Sequence, residues 1–277
     1  MLKYFRFWKK TKKLLIFSFI LFLIILTVNL QKENLYELLE SIEYFFHQSN
    51  YFNADTISFR NGENKKMRIF CLILTKADNF KTKTRAVSQT WAKECDEHRF
   101  ISLLPNEIGT KRLDIAQDDL NILKPEGLLD DQYNLLTNKV YLALIDVSKN
   151  YKSYDYYLKT DDDTFIFIDH LRLYLNKQLN SKRMFYYGHK FYSLSSYNSG
   201  GAGYVLPKRV LDVLTNSLIN NSNFCPNTGI EDSDVGKCLR QLNIFPMHAL
   251  DQTNRKLFHP FDVGFHFKDC IFSFQVS

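Results

Sequence analysis

Beyond its first thirteen residues, this chain carries no net charge. Six of its 36 lysines and arginines fall in residues 1–13, and the remaining 30 are matched by 30 aspartates and glutamates. A nucleic-acid binder keeps a basic patch on its folded part, so the formal charge of +6 does not argue for that function. Acids are missing altogether until Glu33, and no internal repeat or low-complexity tract is present. The G-x-G-x-x-G spacing of a dinucleotide-binding turn is also absent, although three of only ten glycines crowd into residues 200–203. Hydrophobic residues make up 45% and aromatics 15% of the chain, which suffices for a packed core and excludes general disorder. At 277 residues the chain holds one substantial domain with appendages, or two small ones.

Residues 14–30 read LLIFSFILFLIILTVNL, seventeen positions without a charge. A bilayer-spanning helix needs about 17–25 such residues, and a core helix is seldom apolar on every face. A cleaved signal peptide ends in small residues, which Asn29 and Leu30 do not supply. The segment is therefore read as a single transmembrane signal-anchor. Six positive charges precede it, whereas Glu33, Glu37, Glu40 and Glu43 follow. By the positive-inside rule, residues 1–13 form a cytosolic tail and everything after the anchor is lumenal. Residues 31–66, polar and aromatic by turns, read as a stem with some helix between 35 and 46. A lumenal domain over 67–277 follows.

Within that domain, Ile69 to Leu74 is a short apolar run of the kind buried on both sheet faces. Residues 81–95 read as a helix with Val87 and Trp91 on one side, and 99–104 as a strand. Residues 132–150 form the clearest helix, with Leu136, Val140, Ala143, Leu144 and Val147 on one stripe. A strand over 154–159, a helix over 169–180 and a strand over 184–187 come next. Strands alternating with helices imply an α/β fold on a mostly parallel sheet. Ligands of such sheets sit beyond the carboxyl ends of the strands.

At one such end stand Lys159-Thr160-Asp161-Asp162-Asp163-Thr164. Three consecutive carboxylates repel one another, and an isolated trio of this kind is ordinarily an exposed turn. Here it is flanked by Tyr156 to Leu158 and by Phe165 to Ile168, which favours a site built around something positive. Mg²⁺ and Mn²⁺ prefer carboxylate and water oxygens, and such a metal can also bridge the two phosphates of a nucleotide sugar. Residues 197–206, Tyr-Asn-Ser-Gly-Gly-Ala-Gly-Tyr-Val-Leu, allow a close backbone approach to a ligand. Glu231, Asp232 and Asp234 open a helix, either as partners of its dipole or with one of them as a general base.

These segments occur in the order found in Fringe-like β1,3-glycosyltransferases. The matches are Arg68-Ile69-Phe70-Cys71, Thr90-Trp91-Ala92 with Cys95, Asp131-Gln132-Tyr133, Lys159 to Thr164, Ser199 to Leu206, Ile230-Glu231-Asp232 with Gly236 and Cys238, and Phe258-His259-Pro260-Phe261. Seven ordered matches over residues 66–262 most resemble the core 1 β1,3-galactosyltransferase group. The resemblance implies a GT-A-like, Rossmann-type α/β domain that moves galactose with inversion from UDP-galactose to GalNAc on Ser or Thr of a glycoprotein. It implies Mn²⁺, with Mg²⁺ as substitute, and Asp161 and Asp163 as metal-side residues. Asp232 matches the base. Asp162, Lys159 and Arg85 fall on the nucleotide-sugar side, and Trp91, Gly201, Tyr204 and Glu231 near the acceptor, although Trp91 and Tyr204 read equally well as core.

The same resemblance implies disulfides Cys71–Cys95 and Cys225–Cys238, leaving Cys270 over, as an oxidising lumen permits. The family's late histidine falls on Gln275, so that either His266 replaces it or the chain is truncated or divergent. Asn220-Asn221-Ser222 is the single glycosylation sequon. The expected address is the Golgi or ER membrane in type II orientation, as a homodimer or heterodimer. Two alternatives stay open: another Fringe-like β1,3-hexosyltransferase, and a non-catalytic relative acting as chaperone or partner of an active enzyme.

Overall fold

The computed structural model describes residues 67–104, 120–178, 184–192, 196–262 and 264–265. The tail, the apolar segment 14–30 and the stem lie outside these residues, as do His266, Cys270 and Gln275. No helix among the described residues is long and apolar enough to cross a membrane.

The elements follow in the order β1 (Ile69–Leu74), α1 (Arg85–Gln89), β2 (Glu97–Ile101), β3 (Ile122–Leu123), α2 (Leu136–Asn150), β4 (Tyr156–Asp161), α3 (Ile168–Asn176) and β5 (Phe185–Gly188). They continue with β6 (Lys190–Phe191), β7 (Tyr197–Asn198), β8 (Tyr204–Pro207), α4 (Lys208–Asn220), α5 (Glu231–Gln241) and β9 (Phe245–His248). Seven strands form one sheet in the order β3-β2-β1-β4-β8-β5-β9, and β6 pairs with β7 apart from it.

All six residues of β1 are buried, which requires cover on both faces. Phe70, Leu72 and Leu74 pack with Val140, Leu144, Val147, Leu214 and Leu239 of α2, α4 and α5. Ile69, Cys71 and Ile73 pack on the other face with Val87, Trp91, Leu171 and Leu175. The result is a helix–sheet–helix sandwich, the expected α/β class. The sheet is less uniform than its sequence suggests. β3, β2, β1 and β4 are parallel, but β8 runs antiparallel to both β4 and β5. Three of its four residues sit in the segment read as a glycine-rich site, and glycine spacing masks a strand signal.

The helix expected over 81–95 is broken into a π-helical turn, α1 and a 3₁₀ turn Trp91–Glu94. Thr90 stands at the break with φ −109° and ψ −107°. Its Oγ1 donates to the Ala86 carbonyl at 2.7 Å, a back-bond that bends helices. Val87 and Trp91 are buried nonetheless. The helix expected over 132–150 opens with a 3₁₀ turn Tyr133–Leu135 and becomes α-helical at Leu136. Both expected disulfides are present, Cys71 to Cys95 and Cys225 to Cys238. Asn220 of the sequon is exposed at the end of α4.

Candidate active site

Side chains alternate along a strand, and β4 uses this to divide its polar end. Lys159 and Asp161 share one face, while Thr160 and Asp162 point the other way. Asp162 is only 7% exposed. Its Oδ2 accepts from Thr75 Oγ1 at 2.6 Å and from Asn79 Nδ2 at 2.7 Å. Its carboxylate therefore ties the acidic turn to the loop that follows β1. Asp161 and Asp163 face outward, with side chains 32% and 60% exposed. Asp163 accepts from Lys83 Nζ at 2.9 Å, and that hydrogen bond and charge hold the lysine pKa above its ordinary value. The pair is at the surface and worth little in water.

Lys159 is the buried centre of the site. Its Nζ lies 2.9 Å from Glu231 Oε2 and donates to Asp161 Oδ1 at 3.1 Å and to the Gly200 carbonyl at 3.4 Å. Burial alone would lower its pKa, but Asp161 and Glu231 outweigh burial and raise it. Glu231 is 4% exposed, and its second oxygen accepts from Tyr204 Oη at 2.5 Å. Burial raises the Glu231 pKa against the opposing pull of Lys159. Tyr204 is fully buried and also packs its ring on Tyr186.

The glycine-rich loop lies over this centre. A Cβ on Gly200 would stand 2.8 Å from Glu231 Oε2, 3.1 Å from Lys159 Nζ and 3.2 Å from Asp232 Cβ. Gly203 has φ +79° and backs onto the Lys159 carbonyl. Gly201 has nothing within 4 Å of its would-be Cβ and is exposed. Gly200→Ala should accordingly cost about 1–3 kcal/mol by overpacking. Gly201→Ala should stay within about 0.5 kcal/mol of wild type. Urea denaturation of the two variants checks this, and equal losses would contradict the geometry.

Asp232 is half-buried on the first turn of α5. Its Oδ2 accepts the Gly200 N–H at 2.9 Å and its Oδ1 the Ser233 N–H at 2.8 Å. Each carboxylate oxygen keeps a further acceptor site. Asp234 is wholly buried and accepts from Thr137 Oγ1 at 2.8 Å and the Thr228 N–H at 2.6 Å. It staples α5 to α2. Trp91 is 2% exposed in the core. Its Nε1 donates to the Thr164 carbonyl at 3.1 Å, and Thr164 Oγ1 donates to the Gly201 carbonyl at 2.8 Å. The indole thus braces the acidic turn from behind. Arg85 is exposed on α1. Of the flanking apolar residues, Ile166 and Ile168 are buried, whereas Phe165 and Phe167 are 60% and 66% exposed with rings 5.1 Å apart.

One buried pair was not read from the sequence. Lys139 of α2 is 4% exposed and donates to the Asp131 carboxylate and to the Thr75 carbonyl. Burial lowers its pKa in spite of Asp131. Asp131 also accepts from Ser102 Oγ at 3.2 Å, so the pair knits together the carboxyl ends of β1 and β2. The available signal was a lysine set directly beside Val140 on the buried stripe.

Among the described residues no group of three or more His, Cys, Asp and Glu could hold a metal ion. Mg²⁺-type ions are commonly held by one or two carboxylates, with water and substrate phosphates completing the shell. Asp161 and Asp163 are oxygen donors of that kind, partly exposed and exposed, each paired in this structure with a lysine, Lys159 and Lys83.

Residues 127–207 match the protein-family model described as Galactosyltransferase. The matched stretch runs from the approach to α2, through the acidic turn and glycine loop, to the end of β8. The chain is also similar to glycoprotein-N-acetylgalactosamine 3-beta-galactosyltransferase 1 of Xenopus laevis, at 28% identity over 211 residues. That alignment covers 73% of this chain and 53% of the relative, so the chain spans about half the relative's length.

Proposed function

From the match of residues 127–207 to the Galactosyltransferase family model, we propose that this chain is an inverting β1,3-galactosyltransferase. It takes galactose from UDP-galactose and places it on the 3-hydroxyl of GalNAc linked to Ser or Thr. The observation that carries this reading is the meeting of two carboxylate sets across one glycine loop. Asp161 ends β4 with Asp163 in the turn just beyond it, and Asp232 lies in the first turn of α5 with the Gly200 N–H on its Oδ2.

Asp161 and Asp163 would hold Mn²⁺ or Mg²⁺ together with the donor diphosphate. When bound, the metal supplies Lewis-acid stabilisation of the departing UDP. Lys83 beside Asp163 adds a cation on that side, and the resemblance adds Arg85, exposed two residues further on. Asp162 keeps the turn in place through Thr75 and Asn79. On the acceptor side, Asp232 takes the proton of the 3-hydroxyl as its oxygen bonds to the anomeric carbon and the bond from that carbon to UDP breaks. A base in this role is a carboxylate ionised near neutral pH and within about 2.6–3.2 Å of the acceptor oxygen. Of the three acids on this turn, Asp232 is half-buried and keeps an acceptor site on each carboxylate oxygen. Both oxygens of Glu231 are engaged by Lys159 and Tyr204, and Asp234 is wholly buried.

The proposal includes type II insertion through residues 14–30 in the Golgi or ER membrane, and assembly as a dimer. The test is transfer. The full chain is incubated with Mn²⁺, a panel of UDP-sugars and a GalNAc-peptide. Galactose transfer from UDP-galactose, with little from UDP-GlcNAc, is expected. Preference for another donor would move the chain to a different β1,3-hexosyltransferase. No transfer from any donor would favour the partner reading.

A further inference from the structure

We infer that Lys159 is a positioning residue, fixing the separation between the metal-side carboxylate Asp161 and the acceptor-side base Asp232 through Glu231 and Gly200. This rests on the function proposed above and concerns the same site.

An ammonium group has three donors and no acceptor. Lys159 spends them on three separate segments: Asp161 of the acidic turn, the Gly200 carbonyl of the glycine loop, and Glu231 of α5. At 1% exposure it has neither surface nor a donor left for a nucleotide phosphate. Glu231 is equally committed, with Lys159 on one oxygen and Tyr204 on the other. Its neighbour Asp232 accepts the Gly200 N–H. Gly200 is thereby gripped by its carbonyl from β4 and by its amide from α5. The contacts close a ring from Lys159 through Gly200, Asp232 and Glu231 back to Lys159. No side chain fits at Gly200 to loosen that ring.

Stability does not require such an arrangement, because well-packed apolar residues often replace a buried ion pair without loss. What an ion pair adds is a fixed geometry. Here that geometry spans the donor half and the acceptor half of the site. Small displacements of reacting groups cost up to about 100-fold in rate.

The test uses the full chain with Lys159→Met/Glu231→Gln. The double change removes both charges, so neither is left buried alone, and the glutamine still accepts from Tyr204. The expected variant folds with a wild-type thermal transition. It binds Mn²⁺ alone, titrated by electron paramagnetic resonance, no more weakly than wild type, because a competing cation beside Asp161 is gone. Its kcat falls about 10–100-fold, as for lost supporting contacts generally, with the donor KM little changed. A kcat indistinguishable from wild type overturns the inference. So does a parallel loss of stability, Mn²⁺ binding and kcat, which marks a merely structural role. If the double variant does not fold, Tyr204→Phe reads the same link. Lower kcat with Mn²⁺ binding retained supports it, and unchanged kcat overturns it. Asp232→Asn run alongside separates the two claims. A slow Asp232→Asn with a fast double variant removes the link and spares the base. A fast Asp232→Asn removes the base, and this inference with it.

Discussion

Asp232→Asn is expected to bind UDP-galactose as the wild type does and to turn over about 10²–10⁴-fold more slowly, the usual cost of losing a general base. The amide keeps one acceptor oxygen, enough for the Gly200 N–H though not also for the Ser233 N–H, so the loop stays seated while the proton acceptor is lost. The adjacent acids should behave differently. Asp234→Asn disturbs bonds from Thr137 and Thr228 inside the protein. It should cost about 1–3 kcal/mol of stability and leave the turnover of the folded fraction near normal. Steady-state kinetics beside thermal melts distinguish the two. If Asp232→Asn turns over normally while a neighbouring variant is slow, the base is that neighbour.

The second large effect concerns the metal. Hard divalent cations need oxygen ligands, and only Asp161 and Asp163 of the acidic trio face outward. Asp161→Ala/Asp163→Ala should reduce UDP affinity measured in Mn²⁺ to the value obtained with a chelator present. Asp162→Ala should instead act on folding, because it removes the acceptor of Thr75 and Asn79. Calorimetric titration of UDP with Mn²⁺ and with chelator is the check. Equal wild-type affinity under both conditions would mean the acids hold no catalytic metal and would strengthen the partner reading.

Much of the fold was legible because burial on two faces leaves a plain mark. The run from Ile69 to Leu74 is β1 to the residue, and the stripe of Val140, Ala143, Leu144 and Val147 is the buried side of α2. β8 was hidden, since its four residues follow a glycine cluster that reads as a turn, and nothing local fixes an antiparallel direction. The acidic turn was legible as the polar end of a buried strand, but the different surroundings of its three carboxylates were not. That difference follows from strand alternation, which sets Lys159 with Asp161 and turns Asp162 toward Thr75. The same rule could have been applied to the sequence, had β4 been extended past Lys159 to Asp161. Lys159, read as a nucleotide ligand by resemblance, is instead engaged on three sides within the protein. Contacts between segments 41 residues apart, as from Lys159 to Gly200, have no local signature. The Asp131–Lys139 pair escaped for a related reason, because its burial depends on Thr75 at the end of β1.

The most direct measurement is the anomeric configuration of the transferred galactose, read by NMR on the product of the full chain, UDP-galactose, Mn²⁺ and GalNAc-peptide. A single displacement with Asp232 as base, opposite a leaving group held at Asp161 and Asp163, predicts a β-linkage to the 3-hydroxyl. An α-linked product would contradict it, since a single displacement from the face opposite the leaving group inverts the anomeric carbon.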